Sequence, residues 1–402
     1  MERAHRTEWA GVLAATVRLT RDLDLAEECT QDAYAQALQT WPIRGIPERP
    51  GAWLTTVARN RARDQLRRDS AWRRVLPFLV MDDVAPATEE RPWVDDDRLR
   101  LIFTCCHPAL SVEAQVALTL RLLCGLSTPE VARAFLVSPT TMAARITRAK
   151  KKIATARIPY RVPSPEDLPE RIGAVLVVVH LVFSTGHTAP VGEQLIRRDL
   201  VDGATDLARL LHQLLPLDDE VTGLLALIRL TDARSETRVS PDGRMLLLSE
   251  QDRGRWDRPA IAEGTALLAT IRRPARHAIQ AAIAALHAEA PTWADTDWPQ
   301  IVALYDGLLL RWPSPVVELN RAVAIGFRDG PQAGLDALRP LLDEPVLATY
   351  GYLSAARADF LRRLGRRSQA AVAYEEALAL TDNDVERSFL ADRLASVRTD
   401  PD

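Results

Sequence analysis

Lysine occurs only three times in this chain of 402 residues, and the three are consecutive: Lys150, Lys151 and Lys152. Residues 145–161 hold seven basic side chains and no acidic one. The end of a helix carries roughly half a unit of negative charge, which one or two cations satisfy. Seven cations instead suit a polyanion such as the phosphate backbone of nucleic acid. Just upstream, Ser138, Thr140 and Thr141 offer hydroxyls, and Arg145 and Arg148 offer guanidiniums, the groups that read base edges and hold phosphates. A second basic run, residues 49–74, has eight arginines against Asp64 and Asp69, with Trp41, Trp53 and Trp72 in or beside it. Guanidiniums along a backbone, with aromatic rings on which bases stack, serve single-stranded DNA. The competing reading of Trp53 and Trp72 is that they are core residues and the arginines a solvated face. The Pro/Gly-rich loop at 41–51 is suited to holding an extruded base.

Other chemistry is sparse. Cys105-Cys106-His107 places ligands side by side with no second pair, which makes a poor tetrahedral cage, so these residues read as small core side chains. His180, His187, Asp202, Asp232 and Asp242 belong to no H-E-x-x-H, G-x-S-x-G or phosphate-binding glycine pattern. No catalytic residue, metal ligand or cofactor is expected. The four cysteines form no C-x-x-C pair and the N-terminus lacks an apolar signal region, so a soluble, cytoplasmic protein with reduced thiols is expected. The most apolar stretch, residues 172–183, is short of the ~20 residues that span a bilayer. It reads as a buried helix, with no membrane partner.

The elements that must position these groups are helices. Ala, Leu, Arg and Glu dominate, and alternating β-type runs are scarce. Residues 7–40 read as two helices, and a third runs from 52 to about 68 with Leu54, Val57, Ala58, Ala62 and Leu66 inward. Ser127-Thr128-Pro129-Glu130 is a capping box opening a short helix. Val137-Ser138-Pro139 ends that helix and opens the next, with Ser138 as cap and Pro139 pre-set in the first turn. Two helices on so tight a turn make a helix-turn-helix, with Met142, Ile146 and Ala149 inward and Thr140, Thr141, Arg145 and Arg148 outward. Residues 76–98, acidic and interrupted by prolines, read as a flexible linker. A second proline-rich boundary follows at 159–169. Beyond it the chain reads as helical, with a short hairpin at 239–248 around Pro241-Asp242-Gly243. Ala358, Ala370, Tyr374 and Ala377 resemble one tetratricopeptide hairpin, and Ala322, Gly334, Leu338 and Leu341 a fainter copy.

The ordered segments resemble the extracytoplasmic-function sigma factors of the sigma-70 family. Asp22-Leu23-Asp24-Leu25-Ala26-Glu27-Glu28-Cys29-Thr30-Gln31-Asp32-Ala33-Tyr34 is similar to their polymerase-binding segment. Trp53-Leu54-Thr55-Thr56-Val57-Ala58-Arg59-Asn60-Arg61-Ala62-Arg63-Asp64 is similar to their −10 helix, and the helix-turn-helix to their −35 reader. The resemblance implies an all-α protein with region 2 at 1–75, the linker at 76–98, region 4 at 99–158, and a helical regulatory extension at 159–402, tetratricopeptide-like from about 311. It implies that Asp22, Glu27, Glu28, Gln31 and Asp32 face the clamp helices of RNA polymerase core. Trp53, Asn60, Arg61, Arg63, Asp64 and Arg67 would meet the melted −10 strand. Ser138, Thr140, Thr141, Arg145, Arg148 and Lys150 to Lys152 would meet −35 duplex DNA. The extension resembles that of one subgroup at Asp232-Ala233-Arg234, at Gln251-Asp252-Arg253-Gly254-Arg255-Trp256-Asp257, at Thr296-Asp297-Trp298 and at the stretch beginning Ser314-Pro315. There it implies regulation in cis, with a regulatory protein as one candidate partner. Arg253, Arg255 and Trp256 read either as a binding hot spot or as ties between helical layers. The rival assignment is a helix-turn-helix regulator with a sensor or scaffold tail that never joins polymerase core.

Overall fold

A computed structural model describes residues 2–75, 97–135, 137–164 and 166–399. Apart from Asp97 and Arg98, the expected linker lies outside the described residues, as does the side chain of Trp72. The described residues are overwhelmingly helical and fall into two compact units, Met1–Val182 and Phe183–Asp402.

In the first unit, α1 (Glu2–Thr20), α2 (Leu23–Arg44) and α3 (Pro50–Val75) pack on one another around Val12, Leu13, Ala26, Ala33, Leu54, Ala58 and Ala62. Small residues on α2 and α3 allow close approach, and Leu13 and Leu54 fill the space between. Asp22 caps α2 by accepting from the backbone N–H of Asp24 at 2.8 Å and Leu25 at 3.0 Å. The helix was expected to stop near Trp41, yet it runs on to Arg44 with Pro42 inside its last turns. Gly45, at φ 82°, closes it with an N–H donated to the Trp41 carbonyl.

Four further helices follow: α4 (Asp97–Cys105), α5 (Val112–Leu118), which continues into a π turn at Thr119–Leu123, α6 (Thr128–Phe135) and α7 (Pro139–Thr155). They are tied to the N-terminal three. The Trp9 indole donates to the Leu122 carbonyl at 3.1 Å, and the Tyr160 hydroxyl to the carbonyls of Ala14 at 2.9 Å and Asp97 at 3.0 Å. The start of α8 (Leu168–His187) belongs to this unit as well, with Arg171 donating to the Phe103 carbonyl at 2.6 Å. The apolar segment expected at 172–183 is thus part of a 20-residue helix, long and apolar enough to cross a membrane by those two measures. Ile172, Val175, Leu176, Val178, Val179, Val182 and Phe183 are buried in the protein.

The second unit is a succession of helices in which each pair shares a core with the next. Helices α9 (Arg198–Leu214), α10 (Asp219–Asp232), α11 (Arg258–Thr270) and α12 (Arg276–Glu289) lead to α13 (Trp298–Arg311), α14 (Pro315–Arg328) and α15 (Pro331–Leu338). Then come α16 (Gly351–Arg363), α17 (Arg367–Ala379) and α18 (Asp384–Thr399). Ala358, Ala370, Ala373, Tyr374 and Ala377 are buried where α16 meets α17, and Ala322, Leu338 and Leu341 where α14 meets α15. A two-residue strand, β1 (Val191–Gly192), pairs in parallel with β2 (Asp382–Asn383). Asn383, fully buried, donates from Nδ2 to the carbonyls of Ala189 and Gln194, each at 3.0 Å, and accepts from the N–H groups of Val385 and Glu386. The hairpin expected at 239–248 is reduced to one antiparallel bridge, Val239 to Met245, turned by Gly243 at φ 88°. Too few alternating apolar residues flank this turn to carry a ladder.

Candidate nucleic-acid interface

The helix-turn-helix is held by two caps. Glu130 accepts from the Ser127 N–H at 2.6 Å and from its hydroxyl at 2.5 Å, and Ser127 Oγ accepts from the Glu130 N–H at 3.4 Å. Ser138 Oγ accepts the Thr141 N–H at 3.1 Å. Met142, Ile146, Ala149 and Ile153 make the buried stripe of α7. Thr140, Thr141, Arg148, Lys151 and Lys152 are exposed around its other side. Arg145 is half-buried, its guanidinium 5.5 Å above the Phe135 ring. Ser138 and Thr141 are hydroxyl partners at 2.9 Å, so both stand at the exposed mouth of α7 while serving its cap.

Lys150 departs from the expectation of an outward basic run. It is 9% exposed and donates to Asp24 at 2.6 Å and to Glu27 at 2.7 Å, both on α2. Arg121 forms an ion pair with Glu27 from the π turn. The ammonium that was to meet a phosphate is thus occupied inside the protein. Glu27, expected to face polymerase, is turned inward, and Gln31 donates to it at 3.1 Å. Burial by itself would lower the Lys150 ammonium, but Glu27 and Asp24 outweigh it and hold the group above the ordinary lysine range. The signal for both positions was present in the spacing. Lys150 lies four residues beyond Ile146, and Glu27 four beyond Leu23 and seven before Tyr34, each on its helix's inward face. Glu28, Gln31 and Asp32 are exposed, and Asp22 is exposed while capping its helix.

On α3, Asn60, Arg61, Arg63, Asp64 and Arg67 are all exposed, opposite buried Leu54, Ala58 and Ala62. Trp53 is half-buried, its ring edge-on to that of buried Trp41 with centroids 5.6 Å apart. These two rings, with Gln39, Arg44, Ile46 and Val57, line an open cleft of about 660 Å³ between the end of α2 and the start of α3. Arginine fork donors, aromatic walls and a cleft of this size can accommodate a base and its backbone. Cys105 and Cys106 are wholly buried, and burial pushes their thiols up, Cys106 to about 11. In the C-terminal unit Trp256 is buried and donates to Thr237 Oγ1 at 2.9 Å. Arg253 bonds the carbonyls of His287 and Ala290, each at 2.7 Å, so both side chains tie layers together, while Arg255 is exposed.

Comparison with known proteins agrees with this geometry. Family models for sigma-70 region 2 and sigma-70 region 4 match residues 10–73 and 100–153. A family of unknown function, DUF6596, matches residues 171–288. The chain is 42% identical to an uncharacterized protein of Rhizobium meliloti (strain 1021) over 97% of its own length and 94% of that protein's. No solved structure matches it. With the models for sigma-70 region 2 and region 4 matched in order on the helices just described, the chain belongs to the sigma-70 family, as a promoter-directing transcription factor with a helical C-terminal extension.

Proposed function

We propose that the protein is an extracytoplasmic-function-type sigma factor of the cytoplasm, whose extension regulates it in cis. The observation that carries the reading is the pair of basic faces on α3 and α7, both exposed, with an acidic face on α2 in the same unit. Glu28, Gln31 and Asp32 on α2 would meet the clamp helices of polymerase core. Asn60, Arg61, Arg63, Asp64 and Arg67 would track the melted −10 strand, and the cleft beside Trp53 would receive an extruded base. Thr140, Thr141 and Arg145 would enter the −35 major groove, with Ser138, Arg148, Lys151 and Lys152 against phosphates.

The ion pairs at Lys150 suggest that the free protein is closed. Asp24 and Glu27 belong to the segment assigned to polymerase, and Lys150 to the segment assigned to DNA. Release of this contact would free both at once, so that binding of core and of promoter would reinforce each other. The extension, with its tetratricopeptide-like hairpins at α14–α15 and α16–α17, would bias the two arrangements and is the surface for any regulatory protein.

Purified polymerase core is the test. The protein should co-elute with core and select start sites on genomic fragments. Arg145→Ala should weaken −35 binding by about 1–3 kcal/mol on the selected sequence and much less on random duplex. DNA binding without co-elution would instead assign a helix-turn-helix regulator outside the polymerase.

A further inference from the structure

The C-terminal unit gathers three half-buried guanidiniums, those of Arg234, Arg238 and Arg253, that form no ion pair among the described residues. The guanidinium of Arg234, one residue beyond the end cap of α10, makes no hydrogen bond or ion pair among the described residues, while its carbonyl accepts from Thr237. Its charged neighbours are Arg238 and Arg253, with the Tyr305 hydroxyl nearby. Arg238 is held by neutral groups, the His187 carbonyl and Thr188 Oγ1, the latter at 2.9 Å. Arg253 is held by the carbonyls of His287 and Ala290 and by the Trp256 ring, 4.6 Å from its guanidinium, and its Nη2 is buried without a partner. Two imidazoles complete the ring. His187 and His287 each have a buried Nδ1 with no partner, and each feels the charge of Arg234. Burial, then Arg234 and Arg253, depresses His287 to about 3, so it is neutral at pH 7. Burial, then Arg238 and Arg253, brings Arg234 down to about 10.

The nearest acids are otherwise engaged. Asp232 is paired to Arg198 at 2.8 Å. Glu386 acts on Arg238 only at range and accepts from the Tyr352 hydroxyl at 2.5 Å, while Asp295, near Arg253, accepts from Thr292. Half-buried guanidiniums gathered together with carboxylates only at range, and none in an ion pair, are costly to the fold. The group that would offset that cost is an oxyanion with several acceptor oxygens for planar forks. A dianion matches three guanidiniums better than a single carboxylate does.

We propose that Arg234, Arg238 and Arg253, with the free nitrogens of His187 and His287, form a binding site for a small molecule bearing a phosphoryl group. The site lies wholly in the extension and stands whether or not the chain joins polymerase. It draws together Asp232-Ala233-Arg234 and the 251–257 segment, which the promoter-binding reading leaves without a role.

The full-length protein should be titrated with inorganic phosphate, by calorimetry and by thermal melting, against acetate at matched ionic strength and pH. Saturable binding of phosphate with a rise in melting temperature is expected, and none with acetate. Arg234→Met should lower phosphate affinity at least tenfold, yet melt no lower than the parent in phosphate-free buffer, because an unpaired charge has been removed. If that variant does not fold, Arg234→Lys keeps the charge, loses the fork and should also bind at least tenfold more weakly. Arg209→Met on α9, whose guanidinium is paired with Glu263, should bind as the parent does. The proposal is overturned by an absence of saturable phosphate binding, by equal binding of acetate, or by parental affinity in a folded Arg234 variant.

Discussion

Lys150 concentrates the physical chemistry of the first unit in one side chain. Its neighbours Lys151 and Lys152 are solvated, but helical rotation carries Lys150 onto the face of Ile146 and Ile153, where only an ion pair makes burial tolerable. Because its folded pKa is raised, the stabilisation is complete below the unfolded lysine value of about 10.4 and is lost as pH rises through the folded value. The contact therefore persists throughout the neutral range. Lys150→Met should cost about 2 kcal/mol rather than the full penalty for orphaning a buried carboxylate, since Arg121 remains on Glu27. Urea denaturation of the intact protein would measure this, and an unshifted midpoint for the first unit would rule out a stabilising role for the ion pair.

Helices of the C-terminal unit depend on partners far away in sequence. Ala275 has no side chain to cap α12, and Glu220 on α10 supplies the missing acceptor, taking the N–H groups of Arg276 and His277, each at 3.0 Å, and facing the His277 ring at 3.1 Å. Burial alone would raise the Glu220 carboxyl, but the His277 ring and these N–H donors outweigh it and lower it. Its contribution is thus present above the unfolded glutamate value of about 4.3 and fades as pH falls through the lower folded value. Glu220→Gln should cost about 1 kcal/mol at pH 7, with the gap to the parent narrowing under acid; a gap independent of pH in denaturant titrations would contradict the assignment. Farther along, the Phe360 ring lies between two helical glycines. A Cβ on Gly326 would come within 2.2 Å of Phe360 Cζ, and one on Gly334 within 2.5 Å of Cε2. Gly326→Ala should therefore destabilise this unit by about 1–3 kcal/mol, measurable as a lower thermal midpoint, although alanine normally favours a helix.

Local signals made part of this legible in advance. Ser127 with Glu130, and Ser138 with Pro139, announce α6 and α7 because capping is settled within four residues of sequence. The inward stripe of α7 and the exposed face of α3 follow from helical period alone. The partnership of Lys150 with Glu27 spans 123 residues, and that of Glu220 with α12 spans 57, so no local pattern could supply them. The glycines around Phe360 were equally silent, since a missing side chain does not say which ring will fill its place.

At the scale of the molecule, the boundary between the units falls inside α8 and not at the prolines of 159–169. Residues 160–171 contribute to the first unit through Tyr160 and Arg171. A protein ending at His187, the last residue of α8, should unfold at higher urea than one ending at Tyr160, and coincident denaturation curves would show that Arg171 adds nothing. Both should retain polymerase binding if the extension acts only as a regulator.

Asn383 gives the C-terminal unit a character that stacked helical hairpins ordinarily lack. An open stack can shed its last member and leave the others standing, since each touches only its neighbours. Here one amide fastens the last helix to the first loop, 194 residues upstream, so the array is buckled like a belt. Loosening either end undoes the fastening of the other, and the extension must therefore melt, or be reshaped, as one piece.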